Sequence, residues 1–284
     1  MKPLFLFILL SSVSFAQKPT EKALLWEISG NGLAESSYLF GTIHMICASD
    51  FELKFAVKEK LAASRQLALE LDMDDPKMMV TMMQHMNMTD GSTIKAILEP
   101  SDYQKLSKYY KDSIGMDISF FQNAKPFVLM GPMLAGVLGC EPKSFETELM
   151  NLAKSKNLEV IGVETVEEQL SVFDSIPYRT QAKMLLDLIA NMPKAKMEFQ
   201  DLISLYKAED IDHLLVLSEA SEFGMEAQAK VLLYDRNERW IARFAKAMSE
   251  MPTFFAVGAA HLGGDLGVIS LLRKRGYTVN PVTD

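Results

Sequence analysis

The chain of 284 residues has little cysteine, little histidine and a deficit of positive charge. Its 29 Lys and Arg face 37 Asp and Glu, which gives a formal net charge of −8. Nucleic acids and anionic membrane surfaces need clustered Lys and Arg, so we expect neither as a partner. The apolar fraction of 49% excludes a disordered chain, and 15 Gly with 11 Pro exclude a collagen-like or linker-rich one.

Common site motifs are also missing. The sequence has no H-E-x-x-H, no G-x-S-x-G, no P-loop and no G-x-G-x-x-G. With four His and two Cys, any metal site must use few imidazole or thiolate ligands. No apolar run reaches the roughly 20 residues of a membrane span, so we expect no transmembrane segment.

The N-terminal segment is typical of a secretory signal peptide. Residues 1–16 (MKPLFLFILLSSVSFA) carry one Lys, then a short apolar run, then small residues before a plausible cut after Ala16. The alternative is a buried first helix. The pattern predicts an exported protein, periplasmic or extracellular, with one domain over residues 17–284.

The two cysteines, Cys47 and Cys140, would then meet an oxidising environment. They would form one disulfide or remain two buried thiols, and their spacing does not decide between these. Because Cys47 follows His44 by three positions, a disulfide would brace the loop after that histidine.

Six short apolar segments are predicted as strands, at residues 23–28, 38–43, 66–71, 158–163, 253–257 and 277–282. Helical patterns cover residues 51–64, 76–137, 144–156, 165–251 and 266–274, with breaks at Asp90–Gly91, Pro100, Gly115, Pro126, Pro177, Pro193, Glu209 and Gly224. We therefore predict an α/β fold. A central, mostly parallel sheet takes strands from both ends of the chain, and a large helical insert separates them.

Four polar residues follow four of these strands. Gly41–His44 and Gly258–His261 are both G-x-x-H motifs at strand ends, and Glu70 and Glu164 close two further strands. In open α/β sheets, ligands bind at the carboxyl ends of the strands. The alternative for each residue is a satisfied polar group, a helix cap or a solvated side chain.

The stretches YLFGTIHM, LALELDM, VIGVETVEEQL, YDRNERW and FFAVGAAHLGGDLGVISLLRKRGYTV resemble the TraB/GumN family. That family is similar to the Tiki metalloproteases and, more distantly, to erythromycin esterase and the haem-binding protein ChaN. The five segments span residues 38–279, and the helical middle adds little to the match. The resemblance implies an α/β fold and a metal-dependent hydrolytic site.

Carried over residue by residue, the resemblance implies that the metal ligands or catalytic groups are His44, Glu70, Glu164 and His261. The family's Arg–Asn pair falls on Arg236 and Asn237. Arg236 would pair with a carboxylate or stabilise an oxyanion, and the alternative is a structural salt bridge. A PGxD-like segment of many members is replaced here by residues 143–146 (KSFE), which leaves Glu146 without an assigned role.

Two imidazoles and two carboxylates suit Zn²⁺, Mn²⁺ or Co²⁺. Such a metal lowers the pKa of a bound water, and a Glu can act as general base. Catalysis without a metal, by a His polarised by a Glu, stays open. We expect a metal-dependent hydrolase acting on a peptide or other small substrate. The alternatives are a non-enzymatic haem- or metal-binding protein and an interaction protein with a decayed site.

Residues 73–88 hold seven Met and one His. Thioethers can bind Cu(I), but a Met-rich segment is also an adaptable apolar helix. Such a helix would pack on the core or cover the site for an apolar substrate.

Overall fold

The computed structural model describes residues 21–220 and 228–282. The predicted signal peptide and the predicted break at Gly224 lie outside these ranges. All six predicted strands are present, and a further two-residue pair was not predicted. The strands are β1 Leu25–Ser29, β2 Ser37–Thr42, β3 Ile46–Cys47, β4 Gln66–Leu69, β5 Pro142–Lys143, β6 Glu159–Gly162, β7 Thr253–Gly258 and β8 Thr278–Pro281.

The six longer strands form one sheet in the order β6-β4-β7-β2-β1-β8. The four strands β6, β4, β7 and β2 are parallel neighbours, whereas β1 runs antiparallel to both β2 and β8. Strands β4 and β7 are buried along almost their whole length, as expected for the centre of a sheet covered on both faces. The mostly parallel sheet built from both ends of the chain is confirmed.

The other regular elements of the described chain are helices. They are α1 Phe55–Ala63, α2 Met78–His85, α3 Ile94–Ile97, α4 Pro100–Tyr109, α5 Met130–Leu138, α6 Phe145–Ser155, α7 Val166–Asp174, α8 Tyr178–Ala190, α9 Met192–Lys207, α10 Ile211–Ala220, α11 Asp235–Glu250 and α12 Val268–Lys274. Short π-helical turns cover Tyr110–Ile114 and Lys230–Tyr234, and 3-10 turns cover Ile118–Phe121, Pro126–Leu129 and Ala259–His261. Within the described ranges, no helix is long and apolar enough to cross a membrane.

Most predicted helix breaks have a local cause. Pro100 begins α4 and Pro126 begins a 3-10 turn, because proline lacks an amide hydrogen but fits the first turn of a helix. Gly115 ends a π-helical turn with φ +77°, a left-handed conformation that glycine adopts freely. Pro193 is different, because it lies in the first turn of α9, which already begins at Met192.

Two hydrophobic clusters support the fold. The larger one surrounds the sheet, where Phe244 of α11 stacks on Phe255 of β7 with ring centroids 4.0 Å apart. The smaller one lies in the helical insert around Tyr110, Met133 and Leu185, all fully buried. The insert therefore has its own apolar centre beside the sheet.

Helix α2, in the Met-rich segment, packs against α7 but buries none of its residues. Met79 and Met83 are more than half exposed. This part of the segment lies at the surface, whereas Met88, just beyond it, is buried.

The disulfide between Cys47 and Cys140 is present, with Cα atoms 5.6 Å apart. It lies beside the β3–β5 ladder, in which Ile46 pairs with Lys143. Together they tie the loop after His44 to the segment that enters α6.

Candidate functional site

Four polar residues lie at one edge of the sheet. The strands β6, β4, β7 and β2 are parallel, so their carboxyl ends meet there. In that order, the residues that follow them are Glu164, Glu70, His261 and His44. Arg236 reaches the same edge from α11. All five predicted site residues are therefore brought to one region.

The guanidinium of Arg236 lies between the two carboxylates. Nη2 donates to Glu70 Oε2 at 2.5 Å and to Glu164 Oε1 at 2.6 Å, and Nε also donates to Glu164. Nη1 donates to the Leu232 carbonyl at 3.0 Å and lies 3.3 Å from His261 Nε2. An arginine has five N–H groups, and these contacts engage all of them. Arg236 therefore pairs with carboxylates, which agrees both with the predicted site role and with the alternative of a structural salt bridge.

Further donors fix both carboxylates. Trp240 Nε1 donates to Glu164 Oε2 at 3.0 Å, and Gln169 Nε2 donates to Glu164 Oε1 at 3.0 Å and to Glu70 Oε2 at 3.3 Å. The Gly258 amide donates to Glu70 Oε1 at 2.9 Å. Burial raises the pKa of Glu70, but the charges of Arg236 and His44 and this amide outweigh it and hold that pKa well below its usual range.

His261 is buried, and Asn237 fixes its tautomer. The Asn237 amide nitrogen donates to the carbonyls of Leu266 at 2.9 Å and His261 at 3.3 Å, so its Oδ1 is the atom that faces His261 Nδ1 at 2.6 Å. Since that oxygen only accepts, Nδ1 carries the hydrogen and Nε2 has a lone pair. Burial, together with the charge of Arg236, lowers the pKa of His261 to about 3.

His44 is exposed, with 68% of its side chain accessible. Its Nδ1 lies 2.9 Å from Oε1 of the buried Glu146. Desolvation by the surrounding atoms works against a proton on the ring, but the hydrogen bond and charge of Glu146, with the charge of Glu70, raise the pKa of His44 to about 9. The same contact, with a hydrogen bond from Thr42, outweighs the effect of burial and lowers the pKa of Glu146 to about 2.

The two motif glycines serve different purposes. A Cβ on Gly41 would lie 3.0 Å from Leu262 Cδ2 and 3.1 Å from Ala259 Cβ, so the absence of a side chain lets the two motifs pack together. A Cβ on Gly258 would lie 3.4 Å from Glu70 Oε1 and 3.9 Å from His44 Nε2. Gly258 therefore lies at the centre of the site.

Sequence reasoning missed three residues of this network: Glu146, Gln169 and Trp240. The departure of residues 143–146 from the family's PGxD pattern left Glu146 without a role, although an acidic side chain is retained there. Gln169 follows Glu164 by five residues, on the helix that begins after it, and Trp240 lies one turn after Arg236 on the same helix. Helical spacing is the signal that would have placed Trp240 near the site.

A cavity of about 620 Å³ lies at the β6 end of this edge. Its walls include Thr165 at the start of α7, Met78 of the Met-rich helix, and the charged side chains of Asp72, Lys77 and Arg243. Val163, Glu164 and Val166 also line it. The space beside the site therefore has a mixed lining of charged and apolar residues.

The donor set fits a metal ion only in part. In residues 21–220 and 228–282, no three His, Cys, Asp or Glu side chains are grouped so as to hold a metal. Glu164 has both oxygens engaged by its neighbours, but Glu70 Oε1 and the imidazoles of His44 and His261 surround Gly258, and these donor types suit a divalent ion. A metal there would compete with Arg236 Nη1 for the lone pair of His261 Nε2. The four-ligand set stays a prediction.

The protein is thus an α/β protein whose sheet edge carries two histidines, two carboxylates and an arginine. The chain belongs to the TraB/PrgY/gumN family, whose sequence model matches residues 24–281. The resemblance drawn from the five sequence segments is confirmed.

Among curated proteins, the chain is similar to the metalloproteases TIKI2 of Danio rerio and TIKI1 of Homo sapiens, each 23% identical. These matches cover 90% and 92% of this chain but 60% and 63% of the relatives. TIKI1 of Xenopus tropicalis is 22% identical over 90% of the chain and 61% of its own length. The chain thus spans about three fifths of the length of the curated relatives it matches. No solved structure matches.

Proposed function

We propose that this protein is an exported, metal-dependent hydrolase of Tiki-like type that cleaves peptide bonds. The observation that carries the proposal is the meeting of two imidazoles and a carboxylate oxygen around Gly258, at the carboxyl edge of the sheet. Relatives that cover most of the chain are named metalloproteases, which supports a peptide substrate and a metal.

Export is supported by two features. Residues 1–16 have the composition of a signal peptide, and the Cys47–Cys140 disulfide suits an oxidising compartment. The family match over residues 24–281 supports one domain over residues 17–284.

The site residues would have different roles according to their exposure to solvent. A substrate entering from solvent meets His44 first, because Glu70, Glu164, Arg236 and His261 are buried. Arg236 and Glu164 form a rigid pair that orients Glu70, since every N–H of Arg236 is already engaged. The cavity beside Glu164 would accept the polypeptide on one side of the reacting bond.

His44, Glu70 and His261 are not grouped closely enough to hold a metal in the arrangement described here, and they would have to draw together around the divalent metal, of which Mn²⁺, Co²⁺ and Zn²⁺ fit the donor types. When bound, it would lower the pKa of a water molecule and so supply a nucleophile near neutral pH. Glu164, assigned to the ligand set by the resemblance, would act through Arg236 in the arrangement described here.

The experiment is hydrolysis of a fluorogenic peptide pool by the purified mature chain, before and after chelator and after return of each metal. We expect activity to disappear with chelator, and His44→Ala and His261→Ala to lose both activity and metal content. His85→Ala, on the exposed helix α2, is the matched control. Full activity and full metal content in both site variants would overturn the proposal.

The same variants test the alternative of a haem-binding protein. If haem addition produces a visible absorption band that His44→Ala removes, and no peptide is cleaved with any of the three metals, the binding function is favoured over hydrolysis.

A further inference from the structure

We propose that Glu146 is a positioning residue, which holds the imidazole of His44 by Nδ1 and so directs Nε2 toward Gly258 and Glu70. The inference rests on the hydrolytic function proposed above, and it gives a role to an acidic residue to which the sequence resemblance assigned none.

The Glu146 carboxylate is held on both oxygens. Oε1 accepts from Thr42 Oγ1 at 2.7 Å and lies 2.9 Å from His44 Nδ1, and Oε2 accepts from Ser144 Oγ at 2.8 Å. A carboxylate bound by three donors is acceptor-only, so His44 Nδ1 carries the hydrogen of this contact. Without this bond, the ring of an exposed histidine can adopt several rotamers, and the bond stabilises one of them.

The position of Glu146 in the fold also keeps the carboxylate in place. It is the second residue of α6, whose N-terminal end favours a negative charge, and only 11% of its side chain is exposed. Ser144 is the N-cap of the same helix and accepts a hydrogen bond from the Thr147 amide. The carboxylate is therefore fixed by the start of a helix rather than by a flexible loop.

His44 and Glu146 are 102 residues apart in the sequence, and two links, together called the brace, hold their segments together. The β3–β5 ladder joins Ile46 to Lys143, and the disulfide joins Cys47 to Cys140. These links lie two to six residues from the two partners in the chain. The histidine loop and the start of α6 are thus connected twice, once by a ladder and once by a covalent bond.

His261 has an equivalent partner in Asn237, whose oxygen accepts from Nδ1. Both histidines therefore bind an oxygen through Nδ1, and both present Nε2 on the side of Gly258 or Arg236. Hydrogen bonds of this kind orient imidazoles that bind metals, and their loss typically weakens metal affinity or activity about 10- to 100-fold.

The first test detects the hydrogen bond between His44 Nδ1 and Glu146 in metal-free protein, without measuring activity. In chelator-treated protein labelled with ¹⁵N-histidine, we expect a downfield Nδ1–H proton signal of His44, identified by its loss in His44→Ala. Glu146→Gln keeps the size of the side chain and an oxygen that can accept from Nδ1, but it removes the charge and should move the signal upfield, whereas Glu146→Leu removes the acceptor and should abolish the signal. The matched control is Glu148→Gln, on the same helix but with an exposed side chain paired to Lys143.

The second test measures Mn²⁺ affinity by calorimetry and peptide hydrolysis by steady-state kinetics. Glu146→Leu should bind Mn²⁺ about 10- to 100-fold more weakly and lower kcat with little change in KM, because Glu146 acts through His44 rather than on the substrate. Glu146→Gln should lose less affinity, and Glu148→Gln should match the wild type. If Glu146→Leu does not fold, Thr42→Val removes one hydrogen bond to the carboxylate and should give a smaller effect in the same direction.

The positioning role is overturned if the downfield signal survives in Glu146→Leu, or if that variant binds Mn²⁺ and hydrolyses peptide like the wild type. The proposed function can fail separately. If wild-type protein neither binds Mn²⁺ nor cleaves peptide, yet Glu146→Leu loses the His44 signal, the hydrolase proposal fails and the positioning role stands.

Discussion

The two G-x-x-H motifs lie on neighbouring parallel strands and end in opposite environments. His44 is exposed and paired to a carboxylate, which raises its pKa to about 9, whereas His261 is buried beside an amide and an arginine, and its pKa falls to about 3. A repeated motif therefore predicts where a residue lies, but burial and partners decide which charge it carries.

The difference divides the site into two halves. The buried half, around His261, Arg236 and Glu164, is joined to the core through Trp240. The exposed half, around His44 and Glu146, is held by the disulfide and the short β3–β5 ladder. We expect substitutions of the site side chains in the buried half to lower stability, and substitutions of those in the exposed half to affect mainly binding and activity.

The largest effect is expected from Arg236→Met. It leaves Glu70 and Glu164 buried without a counter-charge, which should lower the free energy of unfolding by about 3–5 kcal/mol. Urea denaturation measures the loss. Arg239→Met, at an exposed position of the same helix, should stay within about 0.5 kcal/mol of wild type. Equal, small losses in both variants would contradict the division into halves.

Removal of the disulfide comes next. Replacing both Cys47 and Cys140 by Ala opens a loop spanning 93 residues and should lower the free energy of unfolding by about 2–4 kcal/mol. In the folded variant, the Nδ1–H signal of His44 should broaden while that of His261 stays sharp, because the brace touches only the exposed half. Equal broadening at both histidines would show that the halves are coupled.

A direct comparison of the two histidines should give a smaller difference. His261→Ala leaves Asn237 Oδ1 buried without its donor and should lower the free energy of unfolding by about 1–3 kcal/mol. His44→Ala removes an exposed ring, and the Glu146 carboxylate keeps its hydrogen bonds from Thr42 and Ser144, so its change should be the smaller of the two. Thermal or urea unfolding of the metal-free proteins measures both. A larger loss for His44→Ala would reverse the assignment of the halves.

The smallest effect concerns pH. In metal-free protein, His44 should titrate with a midpoint near 9, above the value of about 6.5 expected when unfolded. Protonated His44 therefore stabilises the folded state. This contribution is fully present below about pH 6.5 and is lost as the pH rises through about 9. NMR titration of the ring measures the midpoint, and Glu146→Gln should move it down. A midpoint near 6.5 in wild type would contradict the ion pair.

Much of the fold could be predicted because its strands and helix starts follow from local sequence patterns. Apolar runs bounded by Gly, Asn and Pro predicted the six strands, and proline predicted the starts of α4 and of a 3-10 turn. The ladder of β3 and β5 was missed, since two residues per strand show no alternation and their pairing joins distant segments. The alternatives for Cys47 and Cys140 were left open for the same reason.

By itself, the sequence determined the position of the four polar residues at strand ends, because side chains that follow parallel strands share one edge of the sheet. Only the tertiary structure decided how they pair. The contacts of Arg236 with Glu70 and of Glu146 with His44 span 166 and 102 residues. No local periodicity encodes contacts at such separations, so burial and charge, and with them the different protonation of the two histidines, arise only when the chain is packed.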